Sequence, residues 1–361
     1  MKIALVHDYL NEYGGAEKVL ETLSEMYPEA PIYTAFAVPK SSAMRAFANR
    51  QVITSWFQYL PFYKKLFSPL RFLIPWIWGS FDLSSYDLVI SSASWYITKG
   101  FNAKAEICYC HTPPRWLYGY STSIDLQKYW PVKIYSLIVG HFLRMYDFKQ
   151  AQKVTQFVAN SQEVATRIKK FYRRESVVVY PPVTHPQPLS LSKRGAYYLI
   201  VSRLVGGKGI DLAIAAAKIA DFKLKIAGEK AGYSHLQGFD YLGRVTEEEK
   251  YKLMAEAKGF LALSKDEDFG ITPVESMLCG TPVIAFNGGG YKETVVHKKT
   301  GILFDDYSVD GLLQAIKEFK KTKFNAEQIK KHAQKFSKER FIKEVQGIVR
   351  TTSELRSSPP I

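Results

Sequence analysis

The sequence predicts two doubly wound α/β domains, each with a parallel β-sheet covered by helices on both faces. Short, nearly continuous apolar runs alternate with helical segments in both halves of the chain, which is typical of buried parallel strands. Between the halves, residues 181–195 read PPVTHPQPLSLSKRG, a segment without periodicity that is typical of a linker. With 361 residues, 47% of them hydrophobic, the chain is long enough for two buried cores.

The N-terminal domain, residues 1–180, shows this alternation from its start. A strand is predicted over residues 2–7, and the pair Gly14-Gly15 opens a helix that ends near Met26. Further strands are predicted over residues 86–91, 106–109, 157–160 and 177–180. Because these runs are apolar at consecutive positions, we expect a sheet that is buried on both faces.

The C-terminal domain, residues 196–338, repeats the pattern more regularly. Strands are predicted over residues 197–202, 223–228, 240–243, 259–264, 282–286 and 301–304. Helices are predicted over residues 209–220, 246–257 and 272–280. Strands and helices in this order are typical of a Rossmann-like domain, which binds its ligands beyond the carboxyl ends of the strands.

The chain is strongly basic, with 49 lysines and arginines against 34 acidic residues and a formal net charge of +15. No nucleic-acid-binding module is visible and the basic residues are widely spread, so nucleic acid is not expected as a partner. An anionic membrane surface is the better candidate. No run of 18 apolar residues predicts a membrane-spanning helix, and the start MKIALVHDYL does not resemble a signal peptide.

The three cysteines, Cys108, Cys110 and Cys279, match neither a disulfide framework nor a metal site. The sequence therefore predicts a cytoplasmic protein without a bound metal. Residues 56–81 and 128–153 combine aromatic, proline and basic residues, and they leave two alternatives open. They either pack in the N-terminal core or lie as short amphipathic pieces in a membrane interface, which would make the protein peripheral at the inner face of the cytoplasmic membrane.

The segment 264–295, SKDEDFGITPVESMLCGTPVIAFNGGGYKETV, carries the most specific pattern in the chain. Thr272-Pro273 opens a helix, because proline is tolerated in a first helical turn. The backbone N–H groups of residues 269–272 would then face a phosphate above the helix N-terminus. Glu275, about one turn inside the helix, could accept hydrogen bonds from two hydroxyls, as a ribose offers. The segment predicts a nucleotide-sugar site.

The pattern E-D-F-G-x-T-P-x-E-[SA]-M-x-x-G-x-P-V-I-A, followed by G-G-x-x-E-x-V, resembles the donor-site signature of retaining glycosyltransferases with the GT-B fold. More narrowly, it is similar to glycosyltransferase family 4 and to its GDP-mannose-dependent mannosyltransferase subgroup. The resemblance covers nearly the whole chain. It implies two Rossmann-like domains that face a cleft, and a C-terminal helix, at about residues 339–355, that crosses back to the N-terminal domain.

The resemblance also implies roles for residues of the C-terminal domain. Arg203 and Lys208, in the glycine loop after the first strand, would stabilise the departing nucleoside diphosphate in place of a divalent metal. Glu275 would bind the ribose, and Glu267 would contact the hydroxyls of the donor sugar. Asp268 replaces a glycine of many relatives and favours mannose. The remaining predicted donor contacts are Val245, Phe269, Gly270, Ile271 and Thr272.

In the N-terminal domain the string CYCHTPPRW places His111 at the end of a buried strand. In the family, a histidine at this place contacts the sugar near the reacting carbon, so His111 joins Arg203, Lys208 and Glu267 as a predicted catalytic residue. Arg115 is a predicted acceptor contact. Gly14 and Gly15 would let the transferred phosphate or the acceptor approach a helix N-terminus.

Together with these residues, the resemblance implies a retaining, metal-independent hexosyltransferase without a cofactor. It would move mannose from GDP-mannose to a saccharide acceptor by a front-face mechanism. A lipid-linked acceptor of cell-surface polysaccharide assembly is expected. Three alternatives stay open: a transferase that uses a UDP- or ADP-sugar, a sugar-nucleotide epimerase or phosphorylase on the same architecture, and a non-catalytic membrane scaffold.

Overall fold

The computed structural model describes residues 1–120, 130–184, 194–229 and 239–357, and these form two compact units. The first unit contains residues 1–120 and 130–182 together with the C-terminal helix from Lys338. The second contains the described residues between Val183 and Ser337. Most of the predicted linker lies outside the described residues.

The first unit is built on a seven-stranded parallel sheet in the order β3-β2-β1-β4-β5-β6-β7. Its strands are β1 (Ile3–His7), β2 (Ile32–Thr34), β3 (Val52–Thr54), β4 (Leu88–Ala93), β5 (Glu106–Cys110), β6 (Gln156–Ala159) and β7 (Ser176–Val178). Its helices are α1 (Gly15–Met26), α2 (Ser42–Ala46), α3 (Tyr63–Leu66), α4 (Ile74–Gly79), α5 (Trp130–Lys153) and α6 (Gln162–Tyr172). The strand order reverses beside β1, so residues that follow β1, β4 and β5 meet at one edge of the sheet, where doubly wound folds bind ligands.

The second unit has a six-stranded parallel sheet in the order β10-β9-β8-β11-β12-β13. Its strands are β8 (Tyr197–Val201), β9 (Lys223–Ala227), β10 (Asp240–Gly243), β11 (Gly259–Ala262), β12 (Val283–Phe286) and β13 (Gly301–Phe304). Its helices are α7 (Ile210–Ala220), α8 (Glu247–Glu256), α9 (Ile271–Leu278), α10 (Tyr291–Thr294), α11 (Val309–Lys321) and α12 (Ala326–Ala333). The order reverses between β8 and β11, which brings the loops after these two strands together. The two parallel Rossmann-like sheets confirm the predicted fold class.

The last helix, α13 (Lys338–Ser357), packs on the first unit. Phe341, Val345 and Val349 are buried in the same apolar cluster as residues of β1 and α1, such as Leu5 and Val19. Returning the end of the chain to the N-terminal unit therefore buries one apolar face of this helix.

The described part of the segment 128–153 forms the single 24-residue helix α5. Pro131 does not interrupt this helix, since it lies in the first turn, where a missing N–H breaks no hydrogen bond. Residues 56–81 do form only short helical pieces, as their prolines predict. Within the described parts of the chain, no helix is both long and apolar enough to cross a membrane.

Candidate functional site

The glycine loop after β8 carries Lys208, which lies beside the first carboxylate of the donor motif. Its Nζ is 2.8 Å from Oε2 of Glu267, in an ion pair whose side chains are 30% and 19% exposed. Glu267 belongs to the loop after β11, so the pair joins the two loops at the point where the strand order reverses. The arrangement holds a cation and a carboxylate where a ligand can reach both.

Tyr291 is the third member of this cluster. It is buried at the start of α10, and its hydroxyl donates a hydrogen bond to Oε2 of Glu267 at 3.2 Å. Burial and the nearby charge of Glu267 raise the pKa of Tyr291 well above its usual value, so the phenol stays a donor. Tyr291 was not among the predicted site residues, and the structure makes it a partner of Glu267.

Glycines allow the loops of this cluster to pack closely. Gly270 has φ +89°, and a Cβ at this position would lie 2.6 Å from the ring of Tyr291. At Gly289, with φ +53°, a Cβ would lie 2.1 Å from the carbonyl oxygen of Glu267. Both positions therefore exclude any side chain, for reasons of backbone conformation and of space.

Helix α9 begins at Ile271, with Gly270 as its cap, one residue before the predicted opening. Pro273 occupies the first turn without a cost in hydrogen bonds. Phe269 is buried and packs on the ring of Phe336, with centroids 5.4 Å apart, which anchors the loop in front of the helix. Asp268, Ile271 and Thr272 are half-buried at this N-terminus. The end of the helix thus presents its partial positive charge next to the Lys208–Glu267 pair.

Glu275 is 1% exposed and is held by two residues of α8. One of its carboxylate oxygens lies 3.0 Å from Nζ of Lys250 and 3.3 Å from the hydroxyl of Tyr251. Lys250 is itself nearly buried and also contacts Glu247 at 2.8 Å. Sequence analysis missed Lys250 and Tyr251, because TEEEKYKLMAEA has the composition of a solvated helix. Through these contacts, α8 holds Glu275, the carboxylate that is predicted to bind the ribose.

Arg203 and Val245 follow two strands of the same unit, β8 and β10. Arg203 is exposed in the loop after β8, and its backbone carbonyl accepts hydrogen bonds from its neighbours Ser202 and Val205. Val245 is half-buried in the turn between β10 and α8. Arg203 thus shares a loop with Lys208, whereas Val245 lies two strands farther along the sheet.

In the first unit, His111 directly follows β5 and is 8% exposed. Its Nε2 lies 2.9 Å from the hydroxyl of Ser92, and the same hydroxyl lies 3.1 Å from Nδ1 of His7. Nε2 of His7 is 3.3 Å from Glu17 of α1. Burial, with a smaller contribution from His7, lowers the pKa of His111 to about 3, so the imidazole is neutral. Sequence analysis predicted His111 but not the polar side chains behind it.

The glycine pair is linked to this line of side chains. Gly14 caps α1, and its N–H donates to the second carboxylate oxygen of Glu17 at 2.9 Å. Gly15 is the first residue of the helix and is exposed. Glu17 therefore connects the predicted phosphate or acceptor loop with His7.

Arg115 lies half-buried in the turn after His111, and its backbone carbonyl accepts hydrogen bonds from Tyr118 and Tyr120. A second arginine, Arg167 of α6, is 2% exposed and donates to the hydroxyl of Thr112 at 3.1 Å. Sequence analysis missed Arg167. Its hydrogen bond to Thr112 holds the segment that follows His111 in place.

Comparison with known proteins relates part of this chain to a family of glycosyltransferases. Residues 183–336 match the sequence profile of Glycosyl transferases group 1. An uncharacterized glycosyltransferase of Methanocaldococcus jannaschii is 27% identical over 234 residues, which are 60% of this chain and 64% of the relative. The alpha-1,3/1,6-mannosyltransferase ALG2 of Rhizomucor pusillus is 26% identical over 331 residues, covering 74% of this chain and 70% of ALG2.

Solved structures show the same fold across almost the whole chain. HepE of Anabaena, in complex with UDP and glucose, superposes with a TM-score of 0.69 at 19% identity, over 97% of this chain and 99% of HepE. Sucrose-phosphate synthase of Thermosynechococcus elongatus gives a TM-score of 0.72 at 16% identity, over 97% and 99%. The chain therefore carries, over residues 183–336, a domain that matches Glycosyl transferases group 1, and its two units have the GT-B fold of these solved structures.

Proposed function

We propose that this protein is a glycosyltransferase that moves mannose from GDP-mannose to a saccharide acceptor with retention of configuration. The observation that carries the proposal is the Lys208–Glu267 pair beside the N-terminus of α9, within the group 1 domain. A cation for the leaving diphosphate and a carboxylate for the sugar hydroxyls are what donor transfer needs. Mannose is favoured by Asp268 next to Glu267 and by the mannosyltransferase among the relatives.

The chemistry rests on charge stabilisation of the leaving group. Lys208, Arg203 and the first N–H groups of α9 bind the diphosphate oxygens, on which negative charge develops as the bond to the sugar breaks. We propose that these groups make a divalent metal unnecessary. In a front-face transfer, the acceptor hydroxyl attacks from the side of the leaving group and gives its proton to the diphosphate.

Glu267 and Glu275 have different parts in this proposal. Glu267 is ion-paired but partly accessible, so a sugar hydroxyl can share its carboxylate with Lys208 and Tyr291. Lys250 and Tyr251 hold one carboxylate oxygen of Glu275 and fix the orientation of this side chain. In the proposal, the carboxylate so oriented accepts hydrogen bonds from the ribose hydroxyls. Neutral His111 of the first unit contributes a hydrogen bond to the sugar, and Arg115 and Gly15 serve the acceptor.

Thermal unfolding with a panel of donors tests the donor assignment. GDP-mannose, UDP-glucose, UDP-GlcNAc and ADP-glucose are compared with and without EDTA. A ligand at about 100 times its dissociation constant adds roughly 2.7 kcal/mol, which gives a readable shift. We expect stabilisation by GDP-mannose that EDTA does not change. A shift with UDP-glucose instead would reject the mannose assignment, and loss of the shift in EDTA would reject metal independence.

Product analysis separates transfer from the two enzymatic alternatives. An epimerase converts the nucleotide sugar without an acceptor, and a phosphorylase needs inorganic phosphate. We expect GDP and an α-linked glycoside that form only when a saccharide acceptor is added. Conversion of the donor alone would overturn the proposed transfer.

The acceptor is proposed to be lipid-linked, because the first unit exposes a large apolar surface. One side of α5 packs through Leu143, Val139 and Tyr146 on the cluster that contains α4. Its other side exposes a stripe at helical spacing, consisting of Trp130, Ile134, Leu137, Ile138, Phe142 and Met145. The segment 56–81 exposes Trp56, Tyr59, Phe62, Phe72 and Trp76. Each segment thus packs some of its aromatics in the core and exposes others, and we propose that the exposed ones contact a membrane.

Sedimentation with anionic vesicles at low salt tests this surface. Burying one large apolar side chain is worth about 1.5–3 kcal/mol, so Ile138→Ser/Phe142→Ser should weaken binding by more than about tenfold. The control is Ile219→Ser, which removes a side chain that is 68% exposed in the second unit. Equal binding of both variants, or no binding of the parent protein, would contradict peripheral membrane association.

A further inference from the structure

A line of four polar side chains crosses the first unit from helix α1 to the end of β5. It consists of Glu17, His7, Ser92 and His111, joined by contacts of 3.3, 3.1 and 2.9 Å. The backbone fixes the line, because His7 and Ser92 are paired in the register of β1 and β4, and the N–H of His111 donates to Ala93 of β4 at 2.8 Å. His7 is 1% exposed and Ser92 is fully buried.

The donors and acceptors along this line depend on each other. The ionised carboxylate of Glu17 can only accept, so Nε2 of His7 carries a proton. If His7 is a cation, its Nδ1–H donates to Ser92, and the Ser92 hydroxyl then donates to Nε2 of His111. If His7 is neutral, its Nδ1 accepts from Ser92, and Ser92 accepts from Nε2–H of His111. A neutral imidazole has one N–H, so these two arrangements give His111 opposite tautomers.

We propose that His7 and Ser92 are positioning residues that set the tautomer of His111, so that charged His7 makes Nδ1 of His111 a donor and neutral His7 makes it an acceptor. The proton on His7 thereby decides which kind of hydrogen bond His111 offers to a ligand. The consequence for catalysis rests on the proposed function, whereas the change of tautomer does not.

Together, the charged and titratable groups around His7 favour its cation near neutral pH. The groups that favour it are the carboxylates of Glu17 in α1 and of Asp8, next in the chain. His111 after β5 also faces His7 but does not favour its charge, and β4 and β2 contribute the hydroxyls of Ser92 and Thr34. Burial alone would lower the pKa of His7, but the hydrogen bond and charge of Glu17, with the charge of Asp8, raise it above the ordinary value of 6.5. The low pKa of His111 keeps that ring neutral through the same range.

Two-bond ¹H–¹⁵N NMR spectra of the ¹⁵N-histidine-labelled protein, recorded between pH 5.5 and 9.5, test the proposal. These spectra distinguish imidazolium from each neutral tautomer, and His111→Gln and His7→Gln assign the signals. We expect His111 to change from the Nδ1–H to the Nε2–H tautomer with the midpoint at which His7 loses its proton. In Ser92→Ala, the tautomer of His111 should no longer follow the titration of His7.

Ser91→Ala is the matched control. Ser91 is a fully buried serine of the same strand, but its hydroxyl donates to Glu106 at 2.6 Å. We expect this variant to keep the coupled change. If Ser92→Ala does not fold, His7→Gln provides the second test, since an uncharged side chain should fix one tautomer of His111 at every pH. A His111 tautomer that is constant across the titration of His7 in the parent protein would overturn the proposal.

A kinetic measurement connects the tautomer to transfer. The pH profile of kcat should carry a limb at the His7 midpoint that Ser92→Ala loses and Ser91→Ala keeps. The same limb in both variants would overturn the link to catalysis. The NMR measurement tests the change of tautomer even if the donor or product measurements reject the proposed function.

Discussion

The two units place their chemistry in contrasting environments. In the second unit, Lys208 and Glu267 form a partly exposed ion pair on two loops, and each loop has a recognisable sequence pattern. In the first unit, His111, which follows β5, is connected through Ser92 of β4 to His7 of β1, and all three side chains are buried. Charged side chains are thus partly accessible where the diphosphate is proposed to bind, whereas the neutral ring of His111 contacts polar side chains buried in the core. Each half can be tested separately.

The largest expected effect is on the buried ion pair of Lys250 and Glu275, which contrasts with the partly exposed pair of Lys208 and Glu267 in the same unit. Lys250→Met leaves the carboxylate of Glu275 buried without its cation, which should reduce the free energy of unfolding by about 3–5 kcal/mol. Urea unfolding measures this. The double variant Lys250→Met/Glu275→Gln should recover much of the loss, and a single variant as stable as the parent would show that the pair is not a support of the site.

Lys208→Ala removes the cation that is proposed to stabilise the leaving diphosphate. By the magnitude of lost charge-stabilising donors, kcat should fall by roughly 10²–10³. The control is Lys298→Ala, which removes an exposed lysine that also pairs with a glutamate, Glu318, at 3.0 Å. Steady-state kinetics with saturating acceptor measures kcat. Equal kcat values for the parent and both variants would contradict the assigned role.

His111 should make the first unit sensitive to acid. Its pKa is about 3 in the folded chain against 6.5 ordinarily, so the unfolded state takes up a proton below pH 6.5 and the folded state does not. Stability should therefore be lost as the pH falls from 6.5 towards 3, by at most about 1.4 kcal/mol per pH unit. His111→Gln should flatten this dependence in urea unfolding, and His297→Gln, at a partly exposed histidine, should not. Parallel curves for all three proteins would contradict the burial of a neutral His111.

The sequence predicted the sheets and the charged half of the site more fully than the buried half. Gly15–Met26 and Gly301–Phe304 begin and end as predicted, because glycine and apolar runs mark these elements locally. The contact of Lys208 with Glu267 could be predicted, since both residues follow strands that the sequence pattern located. The Ser92–His111 contact was not, because strand register over 19 residues of separation has no local signal.

The misplaced boundaries have similar causes. Strand β4 runs from Leu88 to Ala93, two residues later than predicted, because its polar end, Ser91 and Ser92, is buried through contacts with Glu106 and the histidines. Lys250 was missed for a related reason. A lysine among glutamates indicates a solvated face, and only the packing of α8 on α9 shows that it is buried.

Tyr291→Phe gives the smallest expected effect and sharpens the comparison, because it changes one hydrogen bond and leaves both charges of the Lys208–Glu267 pair. The phenol donates to Glu267 at 3.2 Å, and a bond of this kind contributes about 1.5–3 kcal/mol when one partner is charged, less where water can replace it. Glu267 is partly accessible, so we expect about a tenfold loss of kcat/KM for the donor and little change in thermal stability. Tyr307→Phe is the matched control, since its hydroxyl donates instead to the backbone carbonyl of Leu263 at 2.8 Å. If Tyr291→Phe has the kinetics of the control, then the Tyr291 hydroxyl does not help to orient Glu267, and this part of the site differs from the hydrogen-bonded line behind His111.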